Sequence, residues 1–291
     1  MASRNGQKPF GRRTMVCPCA PKCVSLQPCL DMELMINLLK AVRRRRRILS
    51  LTGLVLLIWT GGCKLGTCGG GETVSIRYPV PTFKFLVVGP HVEVRLMHGT
   101  HARMEISAPA GMMDFGRWHV DGDTLFLDLA RPCWWGVKSR PIEVTLQYNT
   151  LHYIRQESEW PIRSAEPLET DTLTIEAGLP GRRGEDDTGP VGLKVYTDYL
   201  RLRAGGGANI RLTGYAAGAD LTLEDGMARV DARALTVRHA TVVHRSAADL
   251  DLKPLDSVRG DLYGAGNLIL YRHPAVVEVQ AHFTGRVIYH D

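Results

Sequence analysis

The sequence predicts an all-β chain: a right-handed parallel β-helix or β-solenoid whose first half is less regular. Three observations predict it. Short runs alternate apolar and polar residues with period two, the pattern of strands with one buried face. No apolar period of 3.6 residues is sustained over three turns. The C-terminal third repeats: Gly206, Gly226, Ser246, Gly266 and Gly285 recur at gaps of 20, 20, 20 and 19. A repeat of that length without helical pattern marks stacked coils of short strands. An antiparallel sandwich is the alternative, but its strand spacing is less regular.

Residues 1–62 read as a leader. Five arginines, Arg43 to Arg47, precede the apolar run Ile48–Trp59, and Thr60-Gly61-Gly62-Cys63 follows. A basic segment, a short apolar core and small residues before a cut are the parts of a signal peptide. The run is shorter than the roughly 20 residues needed to span a bilayer. Residues 43–62 resemble a bacterial lipobox, with Cys63 as the lipidated residue, although Thr60 stands where that motif has Leu. The other readings are an uncleaved signal anchor and a plain signal peptide with Cys63 as a bystander. Two acyl chains on Cys63 would hold the protein stably at a membrane. Lys64, in place of Asp, directs such a lipoprotein to the outer membrane of a Gram-negative cell, as the lipoprotein resemblance implies. Residues 1–31 fit no leader, so the start codon is expected at Met32 or Met35 rather than Met1. Cys17, Cys19, Cys23 and Cys29 in that prefix lack zinc-site spacing.

Residues 63–75 form a Gly-rich tether, KLGTCGGGE at its heart. Cys68 and Cys133 remain outside the leader, and spacing does not decide whether they bridge. The body, 76–291, opens with strand patterns at Val92, Val94 and Leu96, at Leu125, Leu127 and Leu129, and at Ile142, Val144, Leu146 and Tyr148. A Gly- and Pro-rich loop is inserted at 178–192. Beyond it the repeat supplies columns. Ile210, Val230, Leu250 and Leu270 lie four residues after the first four small residues. Ala208, Ala228, Ala248, Leu268 and Val287 lie two after. Val195, Tyr215, Leu235 and Leu255 lie eleven before, and Ala275 lies ten before Gly285. Aliphatic columns become interior stacks, and the Gly column becomes a corner. Asp249, beside Leu250, is expected to point outward and to matter little.

Three segments carry a family resemblance: FKFLVVGPHVEVRL (Phe83–Leu96), PIEVTLQYNTLHYI (Pro141–Ile154) and GDLYGAGNLILYRHPAVVEVQAHFTGRVI (Gly260–Ile288). In this order they resemble the auto-transporter adhesin, head GIN domain, of bacterial envelope proteins, over about residues 76–291. The family's G-S-G corners are replaced here by Gly205-Gly206-Gly207 and Gly264-Ala265-Gly266. The resemblance implies a β-helix-like fold and an envelope location, at the outer membrane or in the periplasm.

Charge and chemistry narrow the function. Residues 1–62 hold 11 Lys and Arg against two acidic residues, leaving 25 against 28 in the body, a net charge of −3. Nucleic acid is therefore not an expected partner, since phosphate binding needs clustered cations on the folded part. No hydrolase, zinc-protease or P-loop motif is present, and no cofactor is implied. His98 with His101, and His239 with His244, read as solvated or partly packed side chains. Trp118 and Trp160 read as core. Trp134 and Trp135 point to opposite faces of a strand, so one can stack on a sugar; the commoner arrangement puts one in the core and the other over a loop. Arg229, Asp231, Arg233, Arg238, His239 and Arg245 read as outward, solvated charges. The expected function is a non-enzymatic envelope lipoprotein, adhesin-like or structural, with a glycan or protein ligand. The alternative is a polysaccharide-active lyase or hydrolase on a β-helix.

Overall fold

The computed structural model describes residues 71–129, 141–179 and 189–290. They fall in the larger of two units of the chain; the smaller, Gly11–Gly66, lies outside the described residues. So do Cys63, Cys68, Cys133, Trp134, Trp135 and most of the loop at 178–192.

Period-two alternation sets the local structure. Strands β1 (Thr73–Pro79), β2 (Phe85–Val88), β3 (Val92–His98) and β4 (Arg103–Pro109) come first, then β5 (Gly116–Asp121), β6 (Thr124–Leu129) and β7 (Ile142–Tyr148). In β3 and β7 the apolar positions Val92, Val94, Leu96, Ile142, Val144, Leu146 and Tyr148 are all buried. Next come β8 (Tyr153–Gln156), β9 (Ile162–Ser164) and β10 (Leu168–Ala177). The long strands are β11 (Val191–Gly206), β12 (Asn209–Gly226), β13 (Arg229–His244) and β14 (Leu250–Leu262); β15 (Leu268–Leu270), β16 (Val276–Ala281) and β17 (Val287–Tyr289) end the chain. Val191 and Gly192, expected in the loop, already belong to β11, and β1 begins inside the stretch expected to be tether.

These strands form one hydrogen-bonded, curled sheet with no α-helix among the described residues. It curls because β11 to β14 each serve two ladders. Their later halves join β5–β6–β2–β8–β10 on one side and β16 on the other. Their earlier halves join β1–β4–β7–β3–β9 and then β15 and β17. Among the described strands, antiparallel pairing is confined to β1–β4, β4–β7 and β5–β6. The first half thus continues the same two ladders and ends them in antiparallel strands. A short 3₁₀ segment, Ala110–Phe115, crosses between the ladders at that end and buries Met112 and Met113.

The repeat is real, and each rung places like on like. Ile210 lies opposite Val230, Val230 opposite Leu250, and all three are fully buried. The fourth member is Leu268, not Leu270: the step from β14 to β15 pairs Leu250 with Leu268 and Leu252 with Leu270. Two residues are missing from that turn, and Asp249 closes it. Its Oδ1 accepts hydrogen bonds from the backbone N–H of Asn267 at 2.8 Å and from Asn267 Nδ2 at 3.1 Å. Asp249 is therefore a clamp rather than an idle outward side chain. The column eleven residues before the corner also slips: Val195 pairs with Gly214, and Tyr215 lies beside Tyr196. Pro254 has no N–H to give, and around it the β13–β14 register shifts twice.

The corner column stands as expected. Met227 N–H donates to Gly206 O at 2.6 Å, Ala247 N–H to Gly226 O at 2.9 Å, and Gly266 N–H to Ser246 O at 3.1 Å. Gly260, at φ +138°, faces the Val242 carbonyl so closely that a Cβ would collide with it.

Leu250→Ala should cost about 2–5 kcal/mol, and Leu250→Asp more, because a carboxylate enters the apolar column. Asp249→Ala should cost about 1–2 kcal/mol, since it orphans the Asn267 N–H. Thermal melting of the three variants checks the order. Gly260→Ala should also lower the melting temperature, through its backbone conformation and the Val242 carbonyl.

Candidate functional site

Outward positions on successive rungs bring side chains from distant sequence into contact. On the ladder that ends in β16 they alternate in charge. Glu176 accepts hydrogen bonds from Tyr153 Oη at 2.8 Å and Arg155 at 3.2 Å, and Arg203 approaches it at 3.5 Å. Arg203 also reaches Glu224 at 3.1 Å, and Arg245 lies 3.9 Å from Glu224. Arg245 then covers the ring of Tyr263 at 5.2 Å, and Tyr263 stacks on His282 at 4.5 Å. Burial and the Glu176 carboxylate push the Tyr153 hydroxyl up to about 12, so it stays protonated as a donor.

The other ladder carries a tighter cluster. Asp231 and Asp251 are register partners on β13 and β14, only 7% and 1% exposed. Arg233 grips Asp231 with two bonds, at 2.7 and 3.0 Å, and Arg211 adds a third at 3.2 Å. Arg229 lies 3.5 Å from Asp251. Tyr271 lies under Arg233 at 5.7 Å and stacks on His290 at 4.6 Å. Asp231 is thus a covered ion-pair member, not a solvated charge, because Arg233 of its own strand and Arg211 of the neighbouring rung close over it. Burial alone would raise its carboxyl, but the hydrogen bonds and charge of Arg233, helped by Arg211, hold it below its ordinary value. A general acid for glycoside cleavage needs the opposite shift.

The predicted histidines and tryptophans separate. His98 packs edge-on to Tyr148 at 5.9 Å, while His101 bonds Thr100 at 2.9 Å and His239 bonds Ser257 at 3.0 Å. His244 departs from expectation. It is fully buried in an interior column between Leu223 and Leu262, and no hydrogen bond of ordinary geometry reaches either ring nitrogen. Burial pushes its imidazole well down, against weaker upward pulls from the Asn267 backbone and Asp249. Trp118 packs against the core, tilted on Tyr78 at 6.0 Å. Trp160 is only half-buried, with its indole N–H on Glu159 at 3.1 Å. Among the described residues no three His, Cys, Asp or Glu side chains converge as metal ligands. An open depression of about 620 Å³ lies near β1, β4 and β7, lined by Tyr78, Pro79, Met97, Met104, Thr145 and Gln147, among others. The sequence offered no signal for it, because its walls come from strands paired across long separations.

Residues 82–274 match the model of the family described as "Putative auto-transporter adhesin, head GIN domain". The chain belongs to this family. Solved structures share the fold of this adhesin-head chain. A "putative adhesin" from Bacteroides fragilis aligns with a TM-score of 0.68 at 18% identity, covering 76% of this chain and 99% of that one. A second, from Parabacteroides merdae, gives 0.57 at 16% identity over 77% and 98%. A "putative lipid binding protein" from Parabacteroides distasonis gives 0.56 at 13% identity over 77% and 98%. No curated protein matches the chain.

His244 makes stability depend on pH. Its folded pKa lies below the unfolded value near 6.5, so the unfolded chain binds the extra proton. Its stability contribution is complete above pH 6.5 and declines as pH falls below that. His244→Leu should flatten that part of the melting-temperature profile between pH 7 and 5.

Proposed function

We propose that the chain is a non-enzymatic, lipid-anchored adhesin-head module of the bacterial cell envelope. In this reading the stacked coils are a right-handed parallel β-helix, held at the membrane by Cys63 through the Gly-rich segment that precedes β1. They present a long outer face to a glycan or protein. Membership of the adhesin-head family supports a surface or envelope role. The observation that carries the reading is the ionic ladder. Glu176, Glu224, Asp231 and Asp251 are engaged by arginines of adjacent rungs, Asp231 by Arg211, so these charges tie coil to coil. A stack of this kind offers a stiff, extended surface, which suits a polymer or another protein. Trp134, Trp135 and exposed tyrosines such as Tyr196 and Tyr199 supply aromatic planes for such a ligand. A second reading, a polysaccharide lyase or hydrolase, draws on the adjacent Asp231 and Asp251.

Metabolic labelling with a fatty acid should mark the wild-type protein and leave Cys63→Ala unmarked; label retained by the variant would refute the anchor. Saturable binding to one envelope or plant polysaccharide, or to a cell surface, without product release supports the binding role. With a body charge of −3, that affinity should depend weakly on salt. Product release abolished by Asp231→Asn would establish the enzyme instead.

A further inference from the structure

The two ends of the stack are built differently. At the first end antiparallel β1, β4 and β5 close the ladders, and the 3₁₀ segment buries Met112 and Met113 across the interior. At the other end β16 pairs only with β14, and β17 only with β15, among the described strands. Among the described residues no further strand covers the interior columns there, and Val279 and Val287 are only half-buried. Val277 continues the column of Ala240 and Val258, and Val279 that of Val242 and Gly260. Val277 is 36% exposed and nearby Phe283 61%, although the column positions below are buried or half-buried.

The backbone at this end is open as well. His282 N–H donates to Leu262 O at 2.8 Å, so even-numbered residues of β16 turn their N–H and C=O toward β14. Val277, Val279 and Ala281 then direct theirs to the open edge. An unpaired edge with exposed apolar side chains is a template for another strand.

We propose that this edge docks a second copy of the chain, β16 against β16 in antiparallel register, around a two-fold axis through Val279. The register follows from the residues. Side chains opposite each other must share a face, so the axis passes through a residue rather than between two. Centred on Val279, inward Val277 meets Ala281 of the other copy, and Val279 meets itself. Outward Glu278 meets Gln280. Edge-facing amides and carbonyls coincide at all three inward pairs, the closely bonded type of antiparallel pair. Centred on Glu278, two carboxylates would oppose each other. The same patch on both copies is the isologous arrangement of two-fold dimers.

The test is sedimentation equilibrium of the full chain in detergent. A monomer–dimer equilibrium is expected. Gln280→Glu sets two Glu–Glu pairs across the seam and should weaken the dimer a few-fold to about tenfold; Gln280→Lys sets two Glu–Lys pairs and should tighten it by a similar factor. Residue 280 is outward and exposed, so neither variant should shift the monomer's melting temperature by more than a degree or two. Val279→Asp should give a folded monomer by circular dichroism. A monomer at all concentrations, or equal responses to both Gln280 variants, overturns the proposal. Binding of the edge by the chain's own leader is one way to obtain the first result. Lipid labelling at Cys63 is unaffected by either outcome.

Discussion

In-register stacking of aliphatic side chains along parallel rungs governs this molecule. Val191, Ile210, Val230, Leu250 and Leu268 form one unbroken buried column, and Leu173, Leu200, Ala219, Ala240 and Val258 another. Each rung satisfies the backbone of the next and covers its apolar face. No single strand could bury that face alone. Register is fixed by the same columns, because a one-residue slip would send every aliphatic group to solvent. The corner residues follow: where Gly206, Gly226, Ser246 and Gly266 turn the chain, adjacent rungs approach closely enough for backbone hydrogen bonds.

The stacking also dictates the outside. Rungs about 4.8 Å apart place outward residues of neighbouring strands side by side. Arginine and glutamate therefore alternate from Arg155 through Glu176 and Arg203 to Glu224. Like charges stacked at that spacing would repel. Asp231 and Asp251 are such a like pair, and the structure answers with Arg211, Arg229 and Arg233 around them. Arg211 and Arg229 thus tie the two carboxylates to adjacent rungs, and Arg233 holds Asp231 within its own strand.

Much of this was legible in the sequence, and the losses have physical causes. A recurring Gly or Ser at 206, 226, 246 and 266 identified the corner, because few residues tolerate such close backbone approach. The strands at 92–96, 125–129 and 142–148 were visible from alternation alone. The period could not say which aliphatic residue stacks at the last coil. There the turn shortens, and Leu268 takes the place expected of Leu270. Pro254 and the register shifts near it blurred a second column in the same way. His244 resembled its exposed neighbours because a 20-residue repeat does not reveal that one rung places imidazole in an apolar column. The clamp at Asp249 and the covered carboxylates depend on contacts between coils. A chain read one residue at a time does not display those contacts. The proposed site residues Cys63, Trp134 and Trp135 lie outside the described residues.

The measurement that bears most directly on this account is a double-mutant cycle on stability between Ile210 and Val230, register partners 20 residues apart. Ile210→Ala, Val230→Ala and the double variant would be unfolded in denaturant. Side chains stacked in one column should couple by about 0.5–3 kcal/mol. Additivity within about 0.3–0.5 kcal/mol, the behaviour of residues that do not touch, would contradict the stacked column on which the rest of the structure is built.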